Sequence, residues 1–269
     1  MPELPEVETT LRGLVPHLSD QTISRIEIRQ PRLRWPVPAQ IQRLQHATIE
    51  SLSRRGKYLL MYTDQGHMIW HLGMSGSMRI LALDAASSKH EHIKMSFDNG
   101  ISLRYIDPRR FGALLFVDTD PLLHKLIVSL GPEPLSDNFD TDYLQSRCMK
   151  RSTAIKNLIM DSHVVVGVGN IYACESLFLS RINPKTPAGR ISRLRLDRLV
   201  NAIKQVLQCA IAQGGTTLQD FTRTDGQPGY FSQSLNVYGN KGACPRCAQA
   251  VKRITQGQRS TFYCSHCQH

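Results

Sequence analysis

Four cysteines near the C-terminus constrain this chain most: Cys244-Pro-Arg-Cys247 and Cys264-Ser-His-Cys267, with sixteen residues between the pairs. Each short Cys-x-x-Cys turn presents two sulfurs to one ion, and two such turns complete a tetrahedron. The spacing therefore predicts a ribbon around one structural zinc ion; thiol redox chemistry would need only one of the pairs. His266 and His269 are expected on the surface and not among the ligands. From Gly226 to His269 the chain carries Lys241, Arg246, Lys252, Arg253 and Arg259 and no Asp or Glu. This tail is a basic module with too few apolar residues for a core of its own, so the metal must supply its fold.

The whole chain of 269 residues has a formal charge of +11 and a pI near 9.5. That balance favours a polyanionic partner and says nothing about fold. No apolar run has the length to cross a bilayer, and the acidic N-terminus lacks the basic and apolar regions of a secretion signal. A cytoplasmic location is expected, with the seven cysteines as thiols and not bridges. Cys148, Cys174 and Cys209 are scattered and are expected to pack as small apolar groups.

Residues up to about 118 read as an opening helix followed by short strands. Runs at Ile23 to Arg29, Lys57 to Tyr62, Met68 to Leu72, Ser77 to Leu83, Ile93 to Phe97, Ile101 to Ile106 and Ala113 to Val117 are apolar or alternating, and Gly, Asp, Asn and Pro separate them. Many short strands predict a sandwich or barrel. Between 119 and 142 the chain is acidic and Pro-rich, which marks a linker with one helix in it. The period then becomes helical, with helices expected near 141 to 148, 152 to 161, 171 to 180 and 192 to 213, the last ended by Gly214-Gly215. The expected division is thus 1–118, linker 119–142, helical domain 143–228 and ribbon 235–269, an α+β multidomain chain.

The N-terminus is chemically unusual. Removal of Met1 would expose the secondary amine of Pro2, followed at once by the carboxyl group of Glu3. An amine that attacks an aldehyde-level carbon forms a Schiff base. From a secondary amine the product is a cationic iminium with no nitrogen proton to lose, and so a permanent electron sink. Pro5, Glu6 and Glu8 read as the first turn of a helix that carries Val7, Leu11 and Leu14 inward. The positive end of that helix would lower the pKa of the amine, while Glu3 and Glu6 oppose the shift.

Three turns are placed to present side chains. His71-Leu-Gly-Met74-Ser-Gly and Asp107-Pro-Arg109-Arg110-Phe111-Gly each follow a strand. Met74 and Phe111 read either as satellite core residues or as apolar wedges that, beside a guanidinium, fill a base stack vacated by a flipped nucleotide. Arg54-Arg55-Gly56-Lys57 reads as a phosphate clamp, a proton donor or an ordinary basic hairpin. Val166-Gly-Val-Gly169-Asn170-Ile-Tyr172 places an Asn cap before a helix whose free amides suit phosphate, or is simply a tight interhelical turn. Lys150-Arg151 is a further phosphate contact or a plain solvated pair. In the ribbon, Gln256-Gly257-Gln258 reads as a hairpin tip with Arg259 projecting from its base.

Met1-Pro-Glu-Leu-Pro-Glu-Val-Glu-Thr, His71-Leu-Gly-Met-Ser-Gly, Asp107-Pro-Arg-Arg-Phe-Gly, Gly167-Val-Gly-Asn-Ile-Tyr-Ala and the four-cysteine ribbon together resemble the bacterial formamidopyrimidine-DNA (8-oxoguanine-DNA) glycosylases nearly end to end. The resemblance implies an N-terminal β-sandwich, a helical domain with a helix-two-turn-helix element, and a zinc finger. It implies a monomer that excises oxidised purines from damaged double-stranded DNA at the nucleoid and cleaves the strand by β,δ-elimination. Pro2 would be the nucleophile, Glu3 the general acid, Lys57 the proton donor in β-elimination and Arg259 the residue of δ-elimination. His90, Arg109, Lys150 or Arg151, and Asn170 would contact DNA, while Met74, Arg109 and Phe111 would fill the gap. Two other readings explain parts of the pattern. An endonuclease VIII-type enzyme for oxidised pyrimidines shares the amine and the zinc, although Leu4-Pro5 and the Arg109-Arg110-Phe111 turn favour the purine branch by resemblance. A non-enzymatic zinc-ribbon DNA-binding protein would leave Pro2-Glu3, Lys57 and Arg259 as accidents. Thr217 to Gly229 is the expected loop over the base.

Overall fold

The computed structural model describes residues 2–216, 224–227 and 229–269. The chain divides into two compact units, Met1–Val128 with Gln213–Tyr230, and Ser129–Ala212 with Phe231–His269. The expected linker is thus split at residue 128, and the described residues 213–216 and 224–227, expected with the helices, go with the N-terminal unit. Backbone bonds explain that placement: Tyr230 N donates to Gln213 O, Ile80 N to Thr224 O, and Thr216 N to the Glu6 carboxylate at 2.8 Å.

In the N-terminal unit α1 (Leu4–Leu18) precedes eight strands: β1 (Ile23–Ile28), β2 (Ile49–Arg55), β3 (Tyr58–Thr63), β4 (Gly66–His71), β5 (Ser77–Ala82), β6 (Glu91–Phe97), β7 (Ile101–Ile106) and β8 (Ala113–Val117). They form two antiparallel four-stranded sheets, ordered β1-β6-β7-β5 and β2-β3-β4-β8. The period of two decides which side chains meet between the sheets. Ile93, Met95 and Phe97 of β6, Leu103 and Tyr105 of β7, and Met68 and Trp70 of β4 share one buried core with Val7 and Leu14 of α1. Leu11 is half-buried against the same core. Strand β2, which was not expected, covers α1 and pairs with β3.

The opposite face of the β7 sheet buries charge. Arg104 is fully buried; its guanidinium donates to Glu91, to Ser102 Oγ and to the carbonyls of Ala82, Leu83 and Ala85, so that none of its donors faces a bare apolar wall.

In the second unit α3 (Thr141–Cys148), α4 (Ile155–Ile159), α5 (Asn170–Leu179) and α6 (Arg193–Ala212) surround a core in which every residue from Asn170 to Phe178 is buried. The expected linker holds α2 (Lys125–Val128) and a short 3-10 turn at Pro121–Leu123. The ribbon hairpin is β9 (Lys252–Gln256) paired antiparallel with β10 (Arg259–Tyr263). Cys148 and Cys174 are buried as expected, whereas Cys209 is exposed. The correction follows from the helical period: Leu196, Leu199, Val200, Ile203, Val206, Leu207 and Ala210 form the inward stripe of α6, and residue 209 lies off it. No helix among the described residues is long and apolar enough to cross a membrane.

Candidate functional site

The N-terminus of α1 is locked before any substrate arrives. Glu3 is the N-cap and is 2% exposed; its side chain accepts the Glu6 N–H, and the Glu3 N–H donates to Glu6 Oε2 at 2.7 Å. This reciprocal capping box satisfies two donors that a helix start leaves orphaned. The other Glu6 oxygen accepts the Thr216 N–H. Gly215 sits at φ +82°, and a Cβ there would lie 3.1 Å from the same carboxylate. Pro2 is buried immediately ahead of the cap, at the positive end of the helix dipole.

Arg54 and Arg55 end β2, and Gly56 at φ +57° turns the chain so that half-buried Lys57 leads into β3. The sequence reading missed the neighbour this turn acquires. Tyr58 pairs with His71 across β3 and β4, their rings 5.0 Å apart. Desolvation, then the charges of Lys57 and Arg34, push the His71 imidazole down to about 4. His71 is therefore neutral at pH 7, and its Nδ1 accepts the Gly73 N–H at 3.0 Å. A long-range strand register brings these groups together, and local spacing does not reveal it.

The turns that carry Met74 and Phe111 are adjacent. Met74 is 37% and Phe111 44% exposed, which removes the satellite-core reading for both. The Arg109 guanidinium lies 5.0 Å from the Phe111 ring centroid. Arg32, Leu33, Arg34, His71, Met74, Arg110 and Phe111 line a cavity of about 610 Å³ beside them. His90 is exposed at φ +65° just before β6, and its carbonyl accepts the Asp107 N–H at 3.1 Å.

In the second unit the cap of α5 is Gly169, in an extended conformation, and Asn170 is the first helical residue and not the cap. Its side chain is committed within the unit: Oδ1 accepts from Lys156 Nζ at 2.5 Å, and Nδ2 donates to Ser260 O at 2.8 Å. The fully buried Lys156 also donates to Thr261 Oγ1 at 2.7 Å, so helix and ribbon share one polar junction. Lys150, at φ +58°, and Arg151 are both exposed after α3, which leaves either free in geometry to meet an anion.

The sulfurs of Cys244, Cys247, Cys264 and Cys267 all lie within 4.8 Å of one another, with Cys244 to Cys267 at 3.9 Å and Cys247 to Cys264 at 3.5 Å. A tetrahedral ion with Zn–S bonds of about 2.3 Å needs sulfur separations of about 3.8 Å, so the quartet fits zinc. His266 and His269 stand outside it on the surface. With all four positions taken by protein, the ion is structural. Arg259 is exposed and follows the Gly257-Gln258 turn, whose φ values are +53° and +60°.

Residues 1–114 match the formamidopyrimidine-DNA glycosylase N-terminal domain, 130–222 the formamidopyrimidine-DNA glycosylase H2TH domain, and 243–269 a zinc finger found in FPG and IleRS. A formamidopyrimidine-DNA glycosylase of Saccharophagus degradans is 52% identical over 270 residues, with 100% of both chains covered. The chain belongs to the formamidopyrimidine-DNA glycosylase family. Among solved structures of that family, a complex between Lactococcus lactis Fpg and an abasic site containing DNA superposes with a TM-score of 0.92 at 34% identity, covering 99% of each chain. A Lactococcus lactis FPG mutant in complex with a Fapy-dG containing DNA gives the same values.

Proposed function

We propose that this chain repairs DNA by flipping an oxidised purine out of the duplex, excising it and cleaving the strand. The family is one of DNA glycosylases with abasic-site lyase activity, and the partner is damaged double-stranded DNA. The observation that carries the residue assignment is the locked start of α1, where Pro2 precedes a buried Glu3 at a helix N-terminus.

With Met1 removed, the Pro2 nitrogen attacks C1′ of the damaged nucleotide and the bond from C1′ to the base breaks. Glu3 assists opening of the sugar ring. The resulting iminium acidifies the C2′ proton, and its loss expels the 3′ phosphate in β-elimination, to which Lys57 contributes a proton. Arg259 serves the second, δ-elimination. Zinc takes no part in these steps and holds the hairpin that bears Arg259. His90, Arg109, Asn170 and one of Lys150 and Arg151 bind the DNA, while Met74, Arg109 and Phe111 fill the gap left by the flipped base. On this reading the chemistry belongs to residues 1–118 and to the ribbon 235–269, and DNA binding is shared between 1–118 and the helical part 143–228. The enzyme works as a monomer in the cytoplasm, at the nucleoid. The loop expected over the base, Thr217 to Gly229, lies mostly outside the described residues.

Borohydride trapping on duplexes with 8-oxoguanine or an oxidised pyrimidine, followed by peptide mapping, tests this reading. A crosslink at Pro2, faster on the purine duplex, is expected; a crosslink at Lys57, or full activity with Met1 retained, would overturn the assignment. Glu3→Gln should lose base excision more than cleavage of a preformed abasic site, which has no base to expel.

A further inference from the structure

The side chain of Asp107, at the end of β7, is fully buried and accepts four hydrogen bonds. Its Oδ1 receives the Ser75 hydroxyl at 2.6 Å and the Arg109 N–H at 3.3 Å; its Oδ2 receives the Gly112 N–H at 2.8 Å and the Tyr105 hydroxyl at 3.0 Å. Ser75 Oγ in turn accepts the Arg109 N–H at 3.1 Å. One carboxylate therefore grips both ends of the turn that carries Arg109 and Phe111, and through Ser75 it holds the neighbouring turn that carries Met74. The main chain of Asp107 extends the hub, since its carbonyl meets His92 Nε2 at 2.8 Å and its N–H donates to His90 O.

The glycines show how tightly the two turns abut. A Cβ on Gly73 would stand 2.3 Å from the backbone of Phe111 and Gly112, and one on Gly112 would stand 1.7 Å from the Tyr105 hydroxyl. Backbone lies against backbone, and the polar groups exposed by that approach are satisfied by Asp107. Burial, then the neighbouring Asp107, raises the Tyr105 phenol well above its usual range, so it stays a donor.

We propose that Asp107, with Ser75 as its bridge, is a positioning residue for the gap-filling step, holding the Met74 and Arg109–Phe111 turns as one rigid body. The hub would act on the extrusion of a stacked base and not on bond breaking at C1′, because the side chains of Asp107, Ser75 and Tyr105 are all buried. A preorganised wedge meets the duplex without first being ordered, and misplacement by about 1 Å can cost up to about a hundredfold in rate. The inference rests on the assignment of Met74, Arg109 and Phe111 as the residues that fill the gap.

The test compares single-turnover excision from an 8-oxoguanine duplex with cleavage of a preformed abasic duplex, in Ser75→Ala, Asp107→Asn, Phe111→Ala and the Ser75→Ala/Phe111→Ala double variant. Ser75→Ala is expected to slow lesion excision about tenfold while abasic cleavage stays within about twofold, and to add little once Phe111 is gone. Equal loss on the two duplexes, or a full multiplicative loss in the double variant, overturns the proposal. If Phe111→Ala alone fails to separate lesion from abasic DNA, the gap-filling assignment itself falls and the hub role falls with it, a pattern distinct from failure of Ser75→Ala only. Should Asp107→Asn not fold, Ser75→Ala decides, because it deletes one hydroxyl and leaves the carboxylate in place.

Discussion

Arg109 and Arg259 are both presented from tight turns, and the two turns are held by opposite means. Arg109 follows a strand of an eight-stranded sandwich whose core spans both sheets and α1, and its turn is fixed by a buried carboxylate. Arg259 follows a two-residue turn in a hairpin of only two strands, whose core consists of Val237, Cys174, Phe178 and the thiols of Cys244 and Cys264. An isolated two-stranded hairpin is marginal in water. A large apolar core keeps a polar hub dry and makes its hydrogen bonds stiff; a module without one must borrow rigidity from a metal and from the helix beneath it. The two turns should therefore fail under different insults.

Metal removal is the largest expected effect. Structural zinc contributes on the order of 10 kcal/mol to small modules. Chelation or Cys247→Ser should strip amide protection from residues 243–269 and abolish tight DNA binding, while the sandwich amides exchange as slowly as before. Persistent protection of the ribbon without metal would erase the contrast.

Glu175 of α5 tests the part played by the helix. It is 1% exposed and accepts from Asn236 N, Asn236 Nδ2, Val237 N and Tyr238 N, all at 2.8 to 2.9 Å. Glu175→Ala orphans these donors and should destabilise the second unit by about 3 kcal/mol even at saturating zinc. Denaturant melts with excess metal would measure it, and an unchanged midpoint would leave zinc alone responsible.

Acid should reach the sandwich through His71. Its folded pKa of about 4 lies below the usual 6.5, so the unfolded chain binds the extra proton first. The associated stability is present above pH 6.5 and is lost as pH falls from 6.5 to 4, on the order of 2 kcal/mol after solvent screening. Melts of the N-terminal unit across that range should slope accordingly, and His71→Gln should flatten the slope.

The smallest effect belongs to Glu8. Burial raises its pKa, but hydrogen bonds and charge from Arg54 and Arg12 outweigh that and hold it below 4.5. Its contribution is present above pH 4.5 and fades as pH falls through the depressed value. Glu8→Gln at pH 7 should cost less than about 1 kcal/mol in a thermal melt.

What was legible in the sequence was what is encoded locally. The cysteine spacing, the α1 pattern and seven of the eight sandwich strands follow from turn residues and short periods. Strand β2 was missed because Ser, Arg and Glu interrupt its apolar positions, and only its pairing with β3 makes it a strand. Asn170 was read as a cap by residue type. Its side chain answers instead to Ser260, ninety positions away, and the extended Gly169 caps the helix without a side chain. Cys209 could have been placed by extending the α6 stripe. His71 and Asp107 were visible only as members of turns: Tyr58 reaches His71 through strand register, and Ser75 reaches Asp107 from thirty-two positions away.

Glu6 gives one carboxylate oxygen to the cap of α1 and the other to Thr216, more than two hundred positions along the chain. Free-energy coupling is reciprocal. Whatever steadies Gly215 and Thr216 steadies the Glu3 amide by the same amount, and whatever displaces them loosens the residue next to Pro2. The terminus of this chain is thus thermodynamically informed about a distant segment through a single side chain.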